Sequence, residues 1–229
     1  MPPVHRAGTS EDSVTVGGVV LLHGHGRTAG SMRSLARGAR NAGYATLAPS
    51  YGWRGLSLRE IVARVDPLIA DFETKQAGPL HFVTHSLGGL VVRAFLAMRR
   101  PAQFGRVVML APPNGGSELA DLLYRIRLDR LVLGRVGPHL RTGRRAEDEA
   151  LLGTVDFDCG IIAADRPIDP IFPRILLPWP NDGKVTVAAT RVQGMHDHIV
   201  LPVSHTLMVH DRRVVAQTMA YLERGAFRR

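Results

Sequence analysis

The sequence predicts an α/β fold in which a mainly parallel central sheet is covered by helices on both faces. Short apolar runs alternate along the chain with segments whose apolar residues recur every three or four positions, and this alternation is typical of strand–helix units. The clearest unit spans residues 80–98, where an apolar run leads into the turn sequence THSLGG and then into helical periodicity. The chain of 229 residues fits one domain of this class, residues 1–229.

The serine of this turn, Ser86, stands between the predicted strand and the predicted helix. A strand–turn–helix corner of this kind presents the nucleophilic serine of the motif G-x-S-x-G. Thr84 replaces the first glycine of the motif, whereas Gly88 occupies the last position. The five residues alone are equally consistent with a serine that caps a helix, followed by glycines that allow close helix–strand packing.

Local patterns predict the remaining elements in chain order. Residues 1–13 are polar and patternless, which predicts a frayed end. Ser57 and Glu60 form a capping-box pair that starts a helix, and Pro67 within that helix predicts a kink or an early stop near Asp66. The last helix is expected to begin after Asp211 and to end at Gly225. Strands are predicted at 14–22, 44–49, 80–83, 106–111 and 159–164.

The composition is that of an ordinary globular protein, with 45% hydrophobic and 21% charged residues. The net charge of +9 comes almost entirely from arginine, and because no helix-turn-helix, RNP or zinc-knuckle motif accompanies it, nucleic-acid binding is not predicted. The single cysteine, Cys159, lies in an apolar stretch typical of an inert buried thiol. No leader pattern and no apolar run of roughly 18 residues occurs, so we expect a cytoplasmic protein.

Residues 112–152 interrupt the strand–helix alternation and predict one or two amphipathic helices inserted as a short cap between core strands. Leucines and isoleucines in this segment are mixed with arginines at positions 125, 127, 130, 135, 141, 144 and 145. We interpret the arginines as a solvated helix face. Peripheral contact with an anionic membrane is the alternative, since basic amphipathic helices can lie on such surfaces.

A serine nucleophile needs a neighbouring base and an acid that orients this base. The expected chain order is serine, then acid, then histidine, and Asp182 and His205 follow Ser86 in that order. Asp182 lies in the turn sequence NDGKV, and His205 follows a short apolar run at 199–203. Asp165, which directly follows a predicted strand, is the alternative acid.

Acyl transfer also requires two backbone N–H groups that face the developing oxyanion. The expected donors are Leu87, which follows the serine, and His25 of the sequence HGHGRT, which follows the first predicted strand. We interpret His85 and His23 as residues that brace these two turns. The sequence His196-Asp197-His198 has no cysteine or HExxH partner, so a metal site is not predicted.

The sequences HGHGRT, THSLGG, VVMLAPPNGGSE, NDGKV and VLPVSHT together resemble the α/β-hydrolase superfamily, and in particular its small bacterial esterase and lipase-like members. The resemblance extends from about Val14 to the C-terminus. It implies serine-dependent hydrolysis of a small-molecule or lipid ester without metal or organic cofactor. The implied residues are the nucleophile Ser86, the base His205, the acid Asp182 and the oxyanion donors named above.

Two departures from the superfamily pattern are Thr84 and the short chain before the first strand, which implies a sheet trimmed of its outer N-terminal strands. The same triad also serves acyltransferases, thioesterases and amidases, and a non-catalytic binding protein of this fold is a further alternative. The sequence gives no indication of the oligomeric state.

Overall fold

The computed structural model describes residues 16–169, 171 and 176–229. Within this part of the chain, six strands form one parallel sheet in the order β2–β1–β3–β4–β5–β6. The strands are β1 (Gly18–Leu22), β2 (Ala45–Leu47), β3 (Leu80–His85), β4 (Phe104–Leu110), β5 (Cys159–Ala164) and β6 (Asp197–Leu201). The chain moves outward from β1 to β2 and then returns to β3 on the other side of β1, and such a reversal of strand order creates a crevice at the carboxyl ends of the strands.

Helices cover both faces of the sheet. They are α1 (Arg33–Asn41), α2 (Leu58–Thr74), α3 (Leu87–Met98), α4 (Glu118–Arg125), α5 (Asp129–Val132), α6 (Gly137–Leu140), α7 (Ala146–Leu152), α8 (Val187–Thr190) and α9 (Arg212–Arg224). Alternate residues of β1 enter two separate cores, with Val20 and Leu22 packed towards α2 and α3, and Val19 and Leu21 packed towards α1 and α9. This alternation is the period-two pattern of a strand that is buried on both faces. The predicted α/β class is therefore confirmed.

The helix α2 begins at the predicted capping box and continues past its proline. The Glu60 N–H donates to Ser57 Oγ at 3.3 Å, and the Ser57 N–H donates to Glu60 Oε2 at 2.7 Å. The early stop expected near Asp66 is wrong, since the helix continues through Pro67 to Thr74. Pro67 and Ala63, the residue whose carbonyl loses its partner, both lie on the exposed face, so water can bind that carbonyl while the buried face holds the helix on the sheet.

Most predicted bounds differ from the observed ones by a few residues. The strand predicted at 159–164 is β5 without change, whereas the one predicted at 44–49 shortens to β2. The first predicted strand begins at Gly18, and its residues 14 and 15, together with the predicted frayed end at 1–13, lie outside the described residues. Asp211 caps α9 through the Arg213 N–H, and Gly225 ends this helix in the left-handed region.

The predicted cap corresponds to the helices α4 to α7, which lie between β4 and β5. Its arginines are not all solvated, because the side chain of Arg144 is only 4% exposed. Arg144 donates from Nε to the His139 carbonyl at 2.6 Å and from Nη1 to the Asn114 carbonyl at 2.6 Å. This arginine therefore anchors the cap to the loop after β4. None of the helices in the described part of the chain has the length and apolarity needed to cross a membrane.

We predict that Gly88→Ala destabilises the protein. A Cβ atom at Gly88 would lie 2.3 Å from the carbonyl oxygen of Leu22, so that α3 must move away from β1, and overpacking of this kind costs about 1–3 kcal/mol. Gly143→Ala is the matched control, because nothing lies within 4 Å of the added atom. Urea unfolding of the two variants measures the difference, and equal midpoints would show that the close approach of α3 to β1 is not needed.

Candidate active site

Ser86 occupies a sharp turn between β3 and α3. Its φ of 53° and ψ of −121° lie in a region that non-glycine residues rarely adopt, and such backbone strain is concentrated at functional sites. The Ser86 N–H donates to the Leu110 carbonyl at 2.8 Å, and the Gly89 N–H donates to the Ser86 carbonyl at 2.8 Å. These bonds hold the serine in place at the carboxyl edge of the sheet.

Small residues allow the backbones around this turn to meet. A Cβ atom at Gly24 would lie 2.9 Å from His85 Nδ1 and 3.1 Å from Ser86 Cβ. Thr84, which replaces the usual glycine, is fully buried, and its hydroxyl oxygen has no hydrogen-bond partner in the structure. An unpaired buried hydroxyl is unfavourable, so Thr84 destabilises the fold locally, and the surrounding sheet tolerates this loss of stability.

Asp182 and His205 are joined by a buried hydrogen bond. His205 Nδ1 lies 2.7 Å from Asp182 Oδ2, and the two residues are 4% and 2% exposed. The other carboxylate oxygen, Oδ1, accepts from the N–H groups of Lys184 at 2.9 Å and Val185 at 2.8 Å. The backbone N–H of His205 also donates to the Asp182 carbonyl at 3.2 Å. The carboxylate is thus fixed in orientation, and it presents one oxygen to the imidazole.

Asp165 has different partners. It follows β5, as the sequence predicts, but its carboxylate lies 3.7 Å from the guanidinium of Arg166. Its backbone N–H donates to the Leu201 carbonyl at 3.3 Å. The structure therefore brings Asp182, and not Asp165, to His205.

Ser86 and His205 line the same cavity, whose volume is about 160 Å³. Within the described residues no hydrogen bond joins Ser86 Oγ to His205 Nε2, and catalytic hydrogen bonds of this kind commonly form only when substrate is bound. Much of the cavity wall is apolar and comes from the cap, through Leu119, Ala120, Leu123, Val132, Leu133 and Leu140. Because a cavity of roughly 150 Å³ holds a molecule of the size of benzene, this one accommodates a short apolar group.

Of the two expected oxyanion donors, His25 is a cavity-lining residue and Leu87 directly follows Ser86. Leu87 is the first residue of α3, so its N–H group is one of the donors that a helix leaves without an intrahelical partner. His25 lines the cavity, and its ring packs against Trp53 in a tilted arrangement, with the ring centres 4.1 Å apart and the planes 51° apart. Burial lowers the pKa of His25, which favours the neutral imidazole beside the cavity.

The two remaining histidines of the site support its loops. His85 Nε2 lies 2.9 Å from the His205 carbonyl oxygen, and burial, followed by the neighbouring His205, holds the pKa of His85 well below its usual range. His23 stacks on Tyr51 with the ring centres 4.0 Å apart. Tyr51 also donates from its hydroxyl to the His23 carbonyl and from its N–H to His23 Nε2. Sequence reasoning missed Tyr51, which follows a short edge strand and carries no motif.

Sequence reasoning also missed two cationic residues that line the cavity, Arg27 and Lys184. Both belong to motifs that the sequence analysis singled out, since Arg27 lies in HGHGRT and Lys184 lies in NDGKV. Their positions beside His25 and Asp182 were therefore the signal that could have identified them.

No cluster of three or more metal-ligating side chains occurs among the described residues. His198 instead bonds Thr190 Oγ1 at 2.9 Å, and Asp197 pairs with Arg229 at 2.8 Å. Cys159 is fully buried, and burial raises the pKa of its thiol to about 12. A protonated thiol is a poor nucleophile, which leaves Ser86 as the nucleophile candidate of the site.

The family model described as the alpha/beta hydrolase family matches residues 19–218. Because this match covers most of the chain, the protein belongs to the alpha/beta hydrolase family. Membership agrees with the parallel sheet, the helices on both of its faces and the strand–turn–helix at Ser86, and it identifies the protein as a hydrolase in class.

Several solved structures share this fold. The mature lipase BlEst2 of Bacillus licheniformis has 15% sequence identity and a TM-score of 0.70, with 96% of both chains covered. A metagenomic carboxyl esterase has 19% identity and a TM-score of 0.63 over 90% of this chain and 68% of the other. A metagenome-derived enzyme described with the lipolytic pair LipS and LipT has 17% identity and a TM-score of 0.62 over 91% of this chain and 95% of the other. A search of curated proteins finds no match.

Proposed function

We propose that the protein is a serine hydrolase that cleaves carboxylic esters with a short apolar acyl group. The observation that carries this proposal is the buried hydrogen bond of 2.7 Å between His205 and Asp182, on a cavity that Ser86 also lines. A carboxylate at Nδ1 leaves Nε2 of the imidazole as the acceptor for a proton. Structural similarity to the lipase and esterases described above supports the same class of substrate.

Each residue has a distinct role in the proposed reaction. Ser86 Oγ attacks the ester carbonyl while His205 Nε2 takes its proton, and Asp182 stabilises the imidazolium that forms. The N–H groups of Leu87 and His25 stabilise the negative charge on the carbonyl oxygen. The imidazolium then protonates the leaving alcohol, and water, activated by the same histidine, releases the acid from Ser86.

The cap supplies the acyl side of the proposed site. Its leucines and Val132 form a wall without charged side chains, and this wall lies next to Ser86. Burying the methylenes of an acyl chain against such a wall contributes about 0.8 kcal/mol for each CH₂ group. The small volume of the cavity therefore favours short chains over long ones.

The cap also supports peripheral contact with an anionic lipid surface. The cap tip, which we define as residues 124–132, exposes apolar side chains, with Leu131 79%, Ile126 52% and Tyr124 50% exposed. It also carries three arginines and one aspartate, at positions 125, 127, 130 and 129. Exposed apolar groups with basic neighbours favour adsorption to acidic lipid, and Val132 of the same tip lines the cavity.

Ser86→Ala is predicted to abolish turnover of a short-chain aryl ester such as p-nitrophenyl butanoate, because the acyl-enzyme cannot form. Native protein should react covalently with a fluorophosphonate probe at Ser86, and the variant should not. Ser34→Ala is the control, because Ser34 is partly exposed on α1, where it bonds His210 Nδ1 at 3.1 Å, and is not a residue of the cavity wall. This variant should keep both ester turnover and probe labelling. Unchanged turnover in Ser86→Ala would exclude the proposed mechanism, and absence of probe labelling in native protein would favour a non-catalytic binding protein.

Asp182→Asn is predicted to lower kcat by about 10⁴-fold, because an amide favours the wrong tautomer of the base. Asp165→Asn should change kcat by about twofold or less, as expected for a carboxylate paired with a surface arginine. Steady-state kinetics of the two variants on the same aryl ester measures the difference. The reverse order of effects would make Asp165 the acid.

Replacing the three arginines of the cap tip by glutamine is predicted to weaken binding to vesicles of phosphatidylserine and phosphatidylcholine by about tenfold or more. A triple variant with the same charge, Arg37→Gln, Arg212→Gln and Arg224→Gln on the α1 and α9 face, is the control. Cosedimentation with the vesicles measures the binding of both triple variants. Leu131→Ser, added to the cap-tip triple variant, should weaken vesicle binding further, because it removes the most exposed leucine of the tip. Equal binding of the two triple variants would refute contact through the cap tip.

A further inference from the structure

Two cationic side chains, Arg27 and Lys184, line the cavity beside Ser86 and His205. Neither side chain forms a hydrogen bond or a salt bridge with a carboxylate in the described part of the chain, although most other charged groups near the cap are paired. The cavity wall itself contains no aspartate or glutamate among the described residues. Two positive charges therefore line the cavity, and in the described residues neither is in direct contact with a carboxylate.

Backbone hydrogen bonds fix the two loops that carry these cations. The Arg27 N–H donates to the Gly24 carbonyl at 3.2 Å, which closes the turn after β1. The Lys184 N–H donates to Asp182 Oδ1 at 2.9 Å, and its carbonyl accepts from Ser117 Oγ at 2.7 Å. Lys184 is thus tied on one side to the acid loop and on the other side to the start of the cap.

Asp182 offsets the charge of Lys184 only in part. Its carboxylate bonds His205 and two backbone N–H groups and not the Lys184 ammonium, and it raises the pKa of Lys184 by less than burial and Arg27 lower it. Partial burial, followed by the positive charge of Arg27, lowers the pKa of Lys184, whose side chain is still partly open to solvent. The two cations also lower the pKa of His85, after the larger effects of burial and of His205. Their positive field therefore extends to the centre of the site.

Unpaired like charges at one cavity repel each other, and an anion between them relieves this repulsion. A positive, partly desolvated cleft also raises the local concentration of anionic ligands. Arginine recognises carboxylate or phosphate through paired N–H donors, and lysine adds a compact positive charge. The cap contributes apolar residues to the same cavity, so apolar side chains and two cations both line the cavity beside one serine.

We propose that Arg27 and Lys184 form an anion-binding subsite and that the natural substrate is an ester of an apolar acid whose alcohol part carries a carboxylate or a phosphate. The proposal rests on the ester hydrolysis proposed above. Hydrolysis consumes one water molecule, breaks the bond between the carbonyl carbon and the alcohol oxygen, and releases the acid together with an anionic alcohol. The acyl chain contacts the apolar residues of the cap, and the anionic group of the leaving alcohol contacts the two cations.

Matched esters test the subsite. The hexanoyl ester of 4-hydroxybenzoate carries a carboxylate, whereas the hexanoyl ester of methyl 4-hydroxybenzoate is neutral and has a similar leaving group. We expect native protein to have a higher kcat/KM for the anionic ester, and the preference to shrink as salt screens the charges. A third ester, 4-(hexanoyloxy)phenyl phosphate, distinguishes phosphate from carboxylate by its rank against the benzoate.

Arg27→Gln and Lys184→Gln should each lower the ratio of kcat/KM for the anionic over the neutral ester by about tenfold, the size expected for one charge-assisted hydrogen bond. Lys184→Arg should keep most of the preference, because it keeps the charge. Arg224→Gln, which removes one positive charge at the far end of α9, is the control and should leave the ratio unchanged.

The outcomes separate this proposal from the proposed hydrolysis. Hydrolysis of both esters with an equal kcat/KM would refute the subsite and leave the hydrolase intact, as would variants that lose activity on both esters in the same proportion. If neither ester is cleaved, calorimetric titration of the Ser86→Ala protein with the two esters still tests whether the anion-binding subsite exists. Tighter binding of the anionic ester that is lost in Lys184→Gln supports the subsite, and equal binding refutes it.

Discussion

The buried hydrogen bond between His205 and Asp182 is the interaction on which the site depends. It joins the loop before α8 to the loop after β6, and both partners are almost fully removed from water. Removing either partner would leave the other polar group buried without its main partner, which is strongly unfavourable. His85 adds a second restraint by binding the backbone of His205. The position of His205 is therefore set both by Asp182 and by His85, the neighbour of Ser86.

The parallel sheet brings these groups together, and the cap determines what can reach them. Ser86 follows β3, and the loop with His25 follows β1, so that both lie where the strand order reverses and side chains converge at one edge. The cap contributes apolar residues to the cavity at this edge, and the loops at Arg27 and Lys184 contribute two cations. Structures with the same sheet at 15–19% identity show that the scaffold tolerates wide sequence change, whereas specificity arises from loops and insertions of this kind.

Several elements could be predicted from the sequence because the information for them is local. The strand–turn–helix at residues 80–98, the capping box at Ser57 and the bounds of β5 each depend on residues within a few positions of one another. Local rules were insufficient where packing outweighs them. The rule that proline ends a helix fails at Pro67, because packing of the buried helix face on the sheet stabilises the helix beyond the proline. Thr84 is a similar case, since the motif demands a glycine and the surrounding sheet accepts a threonine.

By itself the sequence determined the class of fold, the serine at its corner and the order of the candidate acid and base, because motif spacing and periodicity encode these features along the chain. Only the tertiary structure showed that His205 contacts Asp182 and not Asp165, because the chain order does not specify which carboxylate lies within reach of the imidazole. The contacts of Tyr51 with His23 and the presence of Arg27 and Lys184 in one cavity also became visible only in the tertiary structure. A cavity is assembled from segments far apart in sequence, and no local pattern records which side chains meet there.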